Sequence, residues 1–490
     1  MNIIRLTFLL LAISAFSEAQ IPQAIRLFSG HKVMRGASFS LVVKEVESGE
    51  VICSYDPDRR LTPASVLKLV TTAAALEILG EEYRYVTAIE YDGELKNGLL
   101  SGNIYIKGSG DPTLGSSHFS SEGNIYPHNR NAFFPKWMEG IRQKAITSVA
   151  GEVIADESCF DSEGVAMKWQ REDIGSYYGA GSYGLNVFDN IYKLYLNSSG
   201  PGNRPEIVRI EPSVQLKFHN YLSSADTPSD SSYIVGMPFD ADRYLYGTLP
   251  VNRKMYMLRG DIPDPPLFLA QYLHAGMTAA GIQIKGPASC MRMLLEENRL
   301  PLAPRTLIAS TYSPALAEIV RITNERSHNL YADALLKTIG AASSNGAQPA
   351  ALSTAGKGIQ ALREHWAKRG ISMASEAMYD GCGIAAANKL SASFLCNLLV
   401  YMASRSPQSA AFVGSLPQAG IEGSVRNFLR GTKLQGHAFL KSGGMTGVRS
   451  YAGYIDKEGK RYALVIIANN YNGSSSEITR EIEKLLLGIF

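Results

Sequence analysis

The sequence predicts an α+β protein. Its antiparallel sheet, flanked by helices, is assembled from the two ends of the chain, and a large β-rich insertion interrupts it. Three observations lead there: a strand–turn–strand pattern near the N-terminus, three strand-like runs near the C-terminus, and a change of texture over residues 88–299.

Residues 38–46 alternate and are rich in valine, Glu47-Ser48-Gly49-Glu50 reads as a turn, and 51–55 reads as a second strand of a β-hairpin. A helix follows, with Thr62 as its cap, Pro63 in the first helical position and Gly80 at its end. Val66, Leu69, Val70, Ala73 and Leu76 recur at helical spacing and predict a buried face. From 88 to 299, strand-like pieces such as 102–107 alternate with glycine-rich turns. Residues 197–205 and 223–232 have loop composition, and 268–281 reads as a helix. From about 300 the helical pattern returns at 313–322, 329–339 and 356–369, with a small-residue linker over 341–353. Strands follow at 438–441, 449–455 and 462–469. The last helix opens on the capping box Ser474-x-x-Glu477 and carries Ile478, Ile482, Leu485, Leu486 and Ile489 along one side. This order predicts a domain of residues 20–87 and 300–490, with residues 88–299 inserted as two subdomains.

A chain of 490 residues is too long for one ordinary domain, and 45% hydrophobic with 19% charged residues is a globular composition. The formal charge is +3 and no basic run exceeds a pair such as Arg59-Arg60, so a nucleic-acid partner is not expected. A charged start, the apolar run Leu6 to Phe16 and Ser17-Glu18-Ala19 predict a signal peptide over 1–19. That run is too short to span a bilayer comfortably, and no later segment reads as a transmembrane anchor. The expectation is an exported, soluble protein. Cys53, Cys159, Cys290, Cys382 and Cys396 form no C-x-x-C pair, and the eight histidines show no metal spacing. The cysteines read as buried apolar side chains, and neither a metal nor another cofactor is expected.

Three short motifs carry chemistry. In Ser65-Val66-Leu67-Lys68, positions i and i+3 share a helix face, so the Lys68 amine can reach the Ser65 hydroxyl. Ser65 falls in the first turn, where free N–H groups favour negative charge. A serine is a poor nucleophile until a base takes its proton, and a neutral lysine can do so. Ser327-His328-Asn329 stands at a helix start, and Lys441-Ser442-Gly443, followed by Gly444, ends a strand-like run. Each alone has a plain alternative: an exposed Ser and Lys, two cap residues, a glycine-rich turn after an edge strand. Their order, S-x-x-K then S-x-N then K-[ST]-G, at helix start, loop and inner strand, is the signature of an acyl-serine enzyme.

Several stretches extend the match: 63–72 around Ser65, Gly108-Ser109-Gly110-Asp111-Pro112-Thr113-Leu114, Tyr178-Gly179-Ala180, 327–333, and Lys441-Ser442-Gly443. Across essentially the whole mature chain the sequence resembles the low-molecular-mass class C penicillin-binding proteins, peptidase family S13. The usual Lys-Thr-Gly is Lys-Ser-Gly here, and Asp380-Gly381-Cys382-Gly383-Ile384-Ala385 resembles an Asp-Gly-Ser-Gly-Leu-Ser with Cys382 and Ala385 in place of serines.

The resemblance implies a penicillin-binding, transpeptidase-like fold and D-Ala-D-Ala carboxypeptidase or endopeptidase activity on peptidoglycan peptides in the periplasm, with β-lactams as inhibitors. It implies that Ser65 is acylated, Lys68 takes its proton, and Ser327 relays a proton to the leaving amine beside Lys441. Asn329 orients Lys68 and holds the acyl-side amide, Lys441 and Ser442 bind the substrate carboxylate, Gly443 lets the substrate approach, and the N–H groups of Ser65 and Gly444 form the oxyanion hole. Asp156 resembles a position that contacts a diaminopimelate amine; read alone, it is a surface carboxylate at a strand end. Two other functions remain open from the residues: a serine β-lactamase, for which no dedicated deacylation base stands out, and a non-catalytic wall-binding protein.

Overall fold

The computed structural model describes residues 22–119, 132–301, 303–343 and 352–490. Residues 1–19, expected as a signal peptide, and most of the 341–353 linker lie outside the described residues.

Both chain ends build one sheet. Ser38–Glu45 (β1), Val51–Tyr55 (β2), Ala438–Met445 (β3), Val448–Lys457 (β4) and Lys460–Asn469 (β5) pair antiparallel in the order β2-β1-β5-β4-β3. Leu41 sits opposite Ile466 and Val42 opposite Val465. The two-residue period of a strand sends alternate side chains to opposite faces. Val42, Ala452, Val465 and Ile467 therefore join one core, while Leu41, Val43, Leu464 and Ile466 join the other. The first core holds the helix Lys68–Leu79 (α1) and Ala392–Ser404, and the second holds the C-terminal helix Ser475–Ile489. The Ser474–Glu477 capping box is present, and Ile478, Ile482, Leu485 and Leu486 are buried with Ile489 packed beside them.

Helix α1 is buried on every side from Lys68 to Leu76, beyond the single buried face its spacing predicts. Its run of small and apolar side chains lets the sheet and the helices Leu316–Arg326 (α2) and Asn329–Ala342 (α3) approach it together. A lysine at its head is thereby carried into the interior.

The middle of the chain forms further sheets. One joins Val86–Tyr91, Ile104–Lys107, Val153–Asp156, Ala288–Cys290 and Thr306–Tyr312 over a core containing Ile89, Ile106, Trp137 and Leu273. A separate core gathers Tyr192, Leu194, Leu245 and Leu258 from other strands. The Thr306–Tyr312 strand was not expected, and it displaces the start of α2 from 313 to 316. Ser313 explains the delay. Its hydroxyl accepts from the Tyr85 N–H at 2.9 Å and its own N–H donates to the Tyr85 carbonyl at 3.0 Å, so the chain stays extended through Pro314.

Candidate active site

Ser65 is held by what precedes it. Leu61 exchanges two backbone hydrogen bonds of 2.9 Å with Leu390. The Thr62 N–H donates to Asn469 Oδ1 at 2.8 Å, Asn469 Nδ2 returns a bond to the Thr62 carbonyl at 3.0 Å, and the Ser450 hydroxyl donates to the Pro63 carbonyl at 2.6 Å. The bonds from Asn469 and Ser450 pin the approach segment to β5 and β4, and the Leu390 pair holds its start. Ala64 then adopts φ +49°, in the left-handed region, as the chain enters the next turn. Ala64–Leu67 is a 3₁₀ turn, and α1 proper begins at Lys68. Thr62 is not the helix cap expected from the sequence: its hydroxyl donates to the Ala386 carbonyl at 3.1 Å and accepts from Lys389.

The Lys68 amine lies 3.0 Å from Ser65 Oγ, 2.6 Å from Asn329 Oδ1 and 2.6 Å from the Cys382 carbonyl oxygen. The orientation of Asn329 is set, because its Nδ2 donates to the Tyr178 carbonyl at 2.8 Å. Two of the three neighbours of Nζ can therefore only accept. A neutral amine has two N–H bonds and one lone pair. With its hydrogens given to Asn329 and Cys382, the lone pair faces Ser65. Burial pushes the Lys68 pKa below its ordinary value, and the nearby acids Asp333 and Asp380 oppose the shift.

Ser327 closes α2 with φ +59° and ψ +42°, and Asn329 opens α3 two residues later. This abrupt break between helices is what brings the Asn329 side chain to the head of α1. His328 stacks on Tyr331 with ring centroids 3.8 Å apart, and burial pushes its pKa down to about 4.

The third motif lies within β3, not beyond its end, and β3 is an edge strand rather than an inner one. Leu440 N–H donates outward to Pro417 at 3.1 Å, and Ala438 accepts outward from Ala419 at 2.8 Å. By the same alternation the N–H and C=O of Ser442 and Gly444 point outward, to an edge that a substrate backbone can join. A Cβ on Gly443 would fall 2.8 Å from the Pro63 carbonyl and 2.9 Å from Ser65 N, so glycine is what allows β3 to lie against Ser65. Lys441 is fully buried, its amine donating to the Ser442 carbonyl at 2.7 Å. Burial first, and the Lys68 charge second, push its pKa well down. The Ser442 hydroxyl donates to Ser424 Oγ at 2.9 Å.

Ser65, Lys68 and Asn329 are thus joined by hydrogen bonds and Gly443 lies against Ser65, whereas among the described residues no hydrogen bond joins Ser327 or Lys441 to them. Asp156 is not joined to them. It is a buried residue at the end of its strand, 5% exposed, not a surface carboxylate. Burial raises its pKa, but bonds from Ser158 at 2.6 Å and Arg305 at 2.5 Å outweigh this and hold it below the usual value.

Two contributors are main-chain carbonyls, which side-chain patterns do not reveal: Tyr178 O on Asn329 and Cys382 O on Lys68. The loop presenting Cys382 is built around Asp380. That carboxylate accepts from the N–H groups of Gly383 and Ala385 at 2.7 Å, Asn388 Nδ2 at 2.9 Å and Trp169 Nε1 at 2.8 Å. Asp333 holds the Gly381 N–H at 2.6 Å, and burial together with Asp380 pushes it up to about 7. Replacing a serine by Cys382 leaves the carbonyl in place, so the departure from the usual motif does not remove this contact. Among the described residues, His118, Asp189 and His328 form one grouping of metal-ligating types and Asp333, Asp380 and Cys382 another. The acids of the second are already engaged by backbone N–H groups.

Gly383 has φ +88°, and a Cβ there would fall 2.1 Å from the Ala64 carbonyl and 3.2 Å from Ser65 N. Gly383→Ala is therefore expected to displace Ser65, slowing penicillin acylation by about 100-fold and costing roughly 1–3 kcal/mol of stability. Stopped-flow acylation and thermal melting check this; wild-type values for both would show that the loop yields freely.

The profile of the D-Ala-D-Ala carboxypeptidase 3 (S13) family matches residues 29–487. The chain is 24% identical over 452 residues to a D-alanyl-D-alanine carboxypeptidase of Actinomadura sp. (strain R39), covering 90% of this chain and 79% of that protein. It is 23% identical over 458 residues to D-alanyl-D-alanine carboxypeptidase DacB of Haemophilus influenzae, covering 91% and 88%. The crystal structure of penicillin binding protein 4 from H. influenzae superposes with a TM-score of 0.79 at 20% identity, over 94% of this chain and 98% of that one, and so shares the fold. A family profile that matches residues 29–487, nearly the whole of its length, makes this chain a member of the D-Ala-D-Ala carboxypeptidase 3 (S13) family.

Proposed function

We propose that this S13 enzyme hydrolyses the bond after the penultimate D-Ala of peptidoglycan peptides, in stem termini and in cross-links, through an acyl-Ser65 intermediate. The observation that carries this reading is the Lys68 amine held by two acceptor-only groups with its remaining direction on Ser65 Oγ. Ser65 attacks the carbonyl and its proton passes to Lys68. The N–H groups of Ser65 and Gly444 stabilise the oxyanion. Ser327 returns a proton to the leaving amine, and water then releases the acyl group. Lys441 and Ser442 take the substrate carboxylate; its negative charge offsets the burial that disfavours a charged Lys441. Penicillin enters the same route and acylates Ser65.

Family membership favours the peptidase over a β-lactamase, and the intact Ser65–Lys68 pair favours an enzyme over a wall-binding protein. Residues 88–299 serve to guide the wall polymer, since all three motifs lie outside them. In that reading Asp156, bound to Arg305, braces the insertion's sheet. Residues 1–19 act as an export signal, and the enzyme works in the periplasm. Labelled penicillin followed by peptide mapping, with mass analysis of digested monomeric and cross-linked muropeptides, tests the reading. A protein that takes no label and leaves both muropeptides intact would refute it.

The carboxylate site makes a separate prediction. A terminal D-Ala and a cross-linked diaminopimelate D-centre both present a carboxylate one carbon beyond the scissile nitrogen. Amidating it should slow hydrolysis of both substrates by about ten- to a hundredfold, the value of a charge-assisted hydrogen bond. Ser442→Ala should weaken both by roughly tenfold, while Ser442→Thr should be tolerated. Matched acid and amide peptides are the assay, and equal rates would remove Lys441 and Ser442 from this role.

A further inference from the structure

We propose that the recess beside Ser442, flanked by Arg426 and Arg449, binds carboxylates of the leaving peptide of a cross-linked substrate and so favours cutting cross-links over trimming a terminal D-Ala. The inference rests on the peptidase reading and adds a subsite to it.

A cavity of about 340 Å³ opens there, lined by Ser424, Arg426, Asn427, Arg449, Tyr451 and Thr479 among others, with no carboxylate in its wall. Arg449 stands opposite Gly444 in the β3–β4 register, and its Nη1 lies 3.0 Å from where a Cβ on Gly444 would sit. The guanidinium is positioned rather than free to wander. Its Nε donates to the Tyr451 hydroxyl at 3.0 Å, and the Tyr451 ring is stacked on Phe428 with centroids 3.9 Å apart. Among the described residues no ion pair joins Arg426 or Arg449 to an acid, whereas Arg305, Arg321 and Arg461 each have one. Glu483 is near Tyr451, but its Oε1 is taken by the Leu429 N–H at 2.6 Å.

The chemistry of the two substrates differs on this side of the scissile bond. A leaving D-Ala ends at its one carboxylate, which Lys441 and Ser442 hold. A leaving cross-link half has a carboxylate at that same point and then continues as a peptide with further acids. The hydroxyl of Ser442 touches that of Ser424, which lines the cavity, so the cavity begins where the small leaving group stops. Two guanidinium forks without acidic partners suit planar carboxylates, which they can grip with paired hydrogen bonds. Gly444 contributes by having no side chain to fill the space before Arg449.

The test uses the full chain as wild type, Arg426→Gln, Arg449→Gln and the double variant. The substrates are a monomeric pentapeptide, a cross-linked dimer, and the same dimer with the further acids of its leaving half amidated. The double variant should raise KM for the acid dimer about tenfold, leaving monomer hydrolysis and penicillin acylation at wild-type rates. Wild type should treat the amidated dimer as the double variant treats the acid one. Its KM for the acid dimer should rise with salt, and that dependence should flatten in the variant. Equal losses on monomer and dimer would assign the arginines to holding β3 and overturn the proposal, as would an unchanged dimer KM. If Arg449→Gln fails to fold, Arg426→Gln and the amidated dimer still decide the matter. A wild type that takes no penicillin label would instead sink the peptidase reading itself.

Discussion

Ser65→Ala is expected to abolish covalent labelling by penicillin and to lower hydrolysis of D-Ala-D-Ala peptides by about 10⁴- to 10⁶-fold, the loss seen when a serine nucleophile is removed from a working constellation. The protein should remain folded. Among the bonds described here the Ser65 hydroxyl meets only the Lys68 amine, and Lys68 keeps Asn329 and the Cys382 carbonyl without it. Substrate should still bind, because the edge of β3, Ser442 and Lys441 are untouched. Intact-protein mass spectrometry after penicillin treatment, with a melting curve beside it, gives the result. A mass increment that persists in the variant would place the nucleophile elsewhere.

Lys68→Ala should come next in severity, slowing acylation by about 10²- to 10⁴-fold, the range for a positioned general base. Lys68→Arg should do no better, since a guanidinium stays protonated and has no lone pair to offer. The pH dependence follows from the direction of the shift. Burial lowers the Lys68 pKa from its ordinary value, so the amine is charged and idle below the shifted pKa and neutral and active above it. Acylation should therefore rise with pH along an acid limb that belongs to Lys68. The Asp333 charge opposes the lowering, so Asp333→Asn should move that limb to lower pH. A flat wild-type profile between about pH 5 and 9 would remove Lys68 as the base.

The sheet was legible because its strands obey local rules. The valine-rich alternation over 38–46 and the apolar run around Val465 mark strands of one sheet, and the Ser474–Glu477 box marks the helix that covers one face. The three motifs were legible because their chemistry sits in side chains at short spacing. What escaped was set by distant partners. Ala64 looks like an ordinary helix residue, and only the bonds from Asn469 and Ser450 to its neighbours force its left-handed turn. The carbonyls of Tyr178 and Cys382 carry no residue signature at all. Gly443 and Gly444 read as the end of a strand because glycine weakens strands in general. Here β3 continues through them, with Gly443 admitting the Ser65 backbone. Asp156 read as exposed because its partner Arg305 is remote in sequence.

The pairing of β1 with β5, which sets Leu41 against Ile466, also dictates the order in which the molecule can mature. Contacts between distant chain positions form slowly, because closing the intervening loop costs entropy before any contact is gained. The middle cores around Trp137 and Tyr192 draw on residues nearer in sequence, whose contacts close shorter loops. Ser65 and Lys68 are synthesised early, yet Thr62 must wait for Asn469, and β3 for β4, before the nucleophile is held. Catalytic competence is then a late event of folding, and a chain released before residue 469 should carry its nucleophile without being able to use it. In this protein the covalent penicillin adduct would report not only on the active serine but on whether the two termini have met.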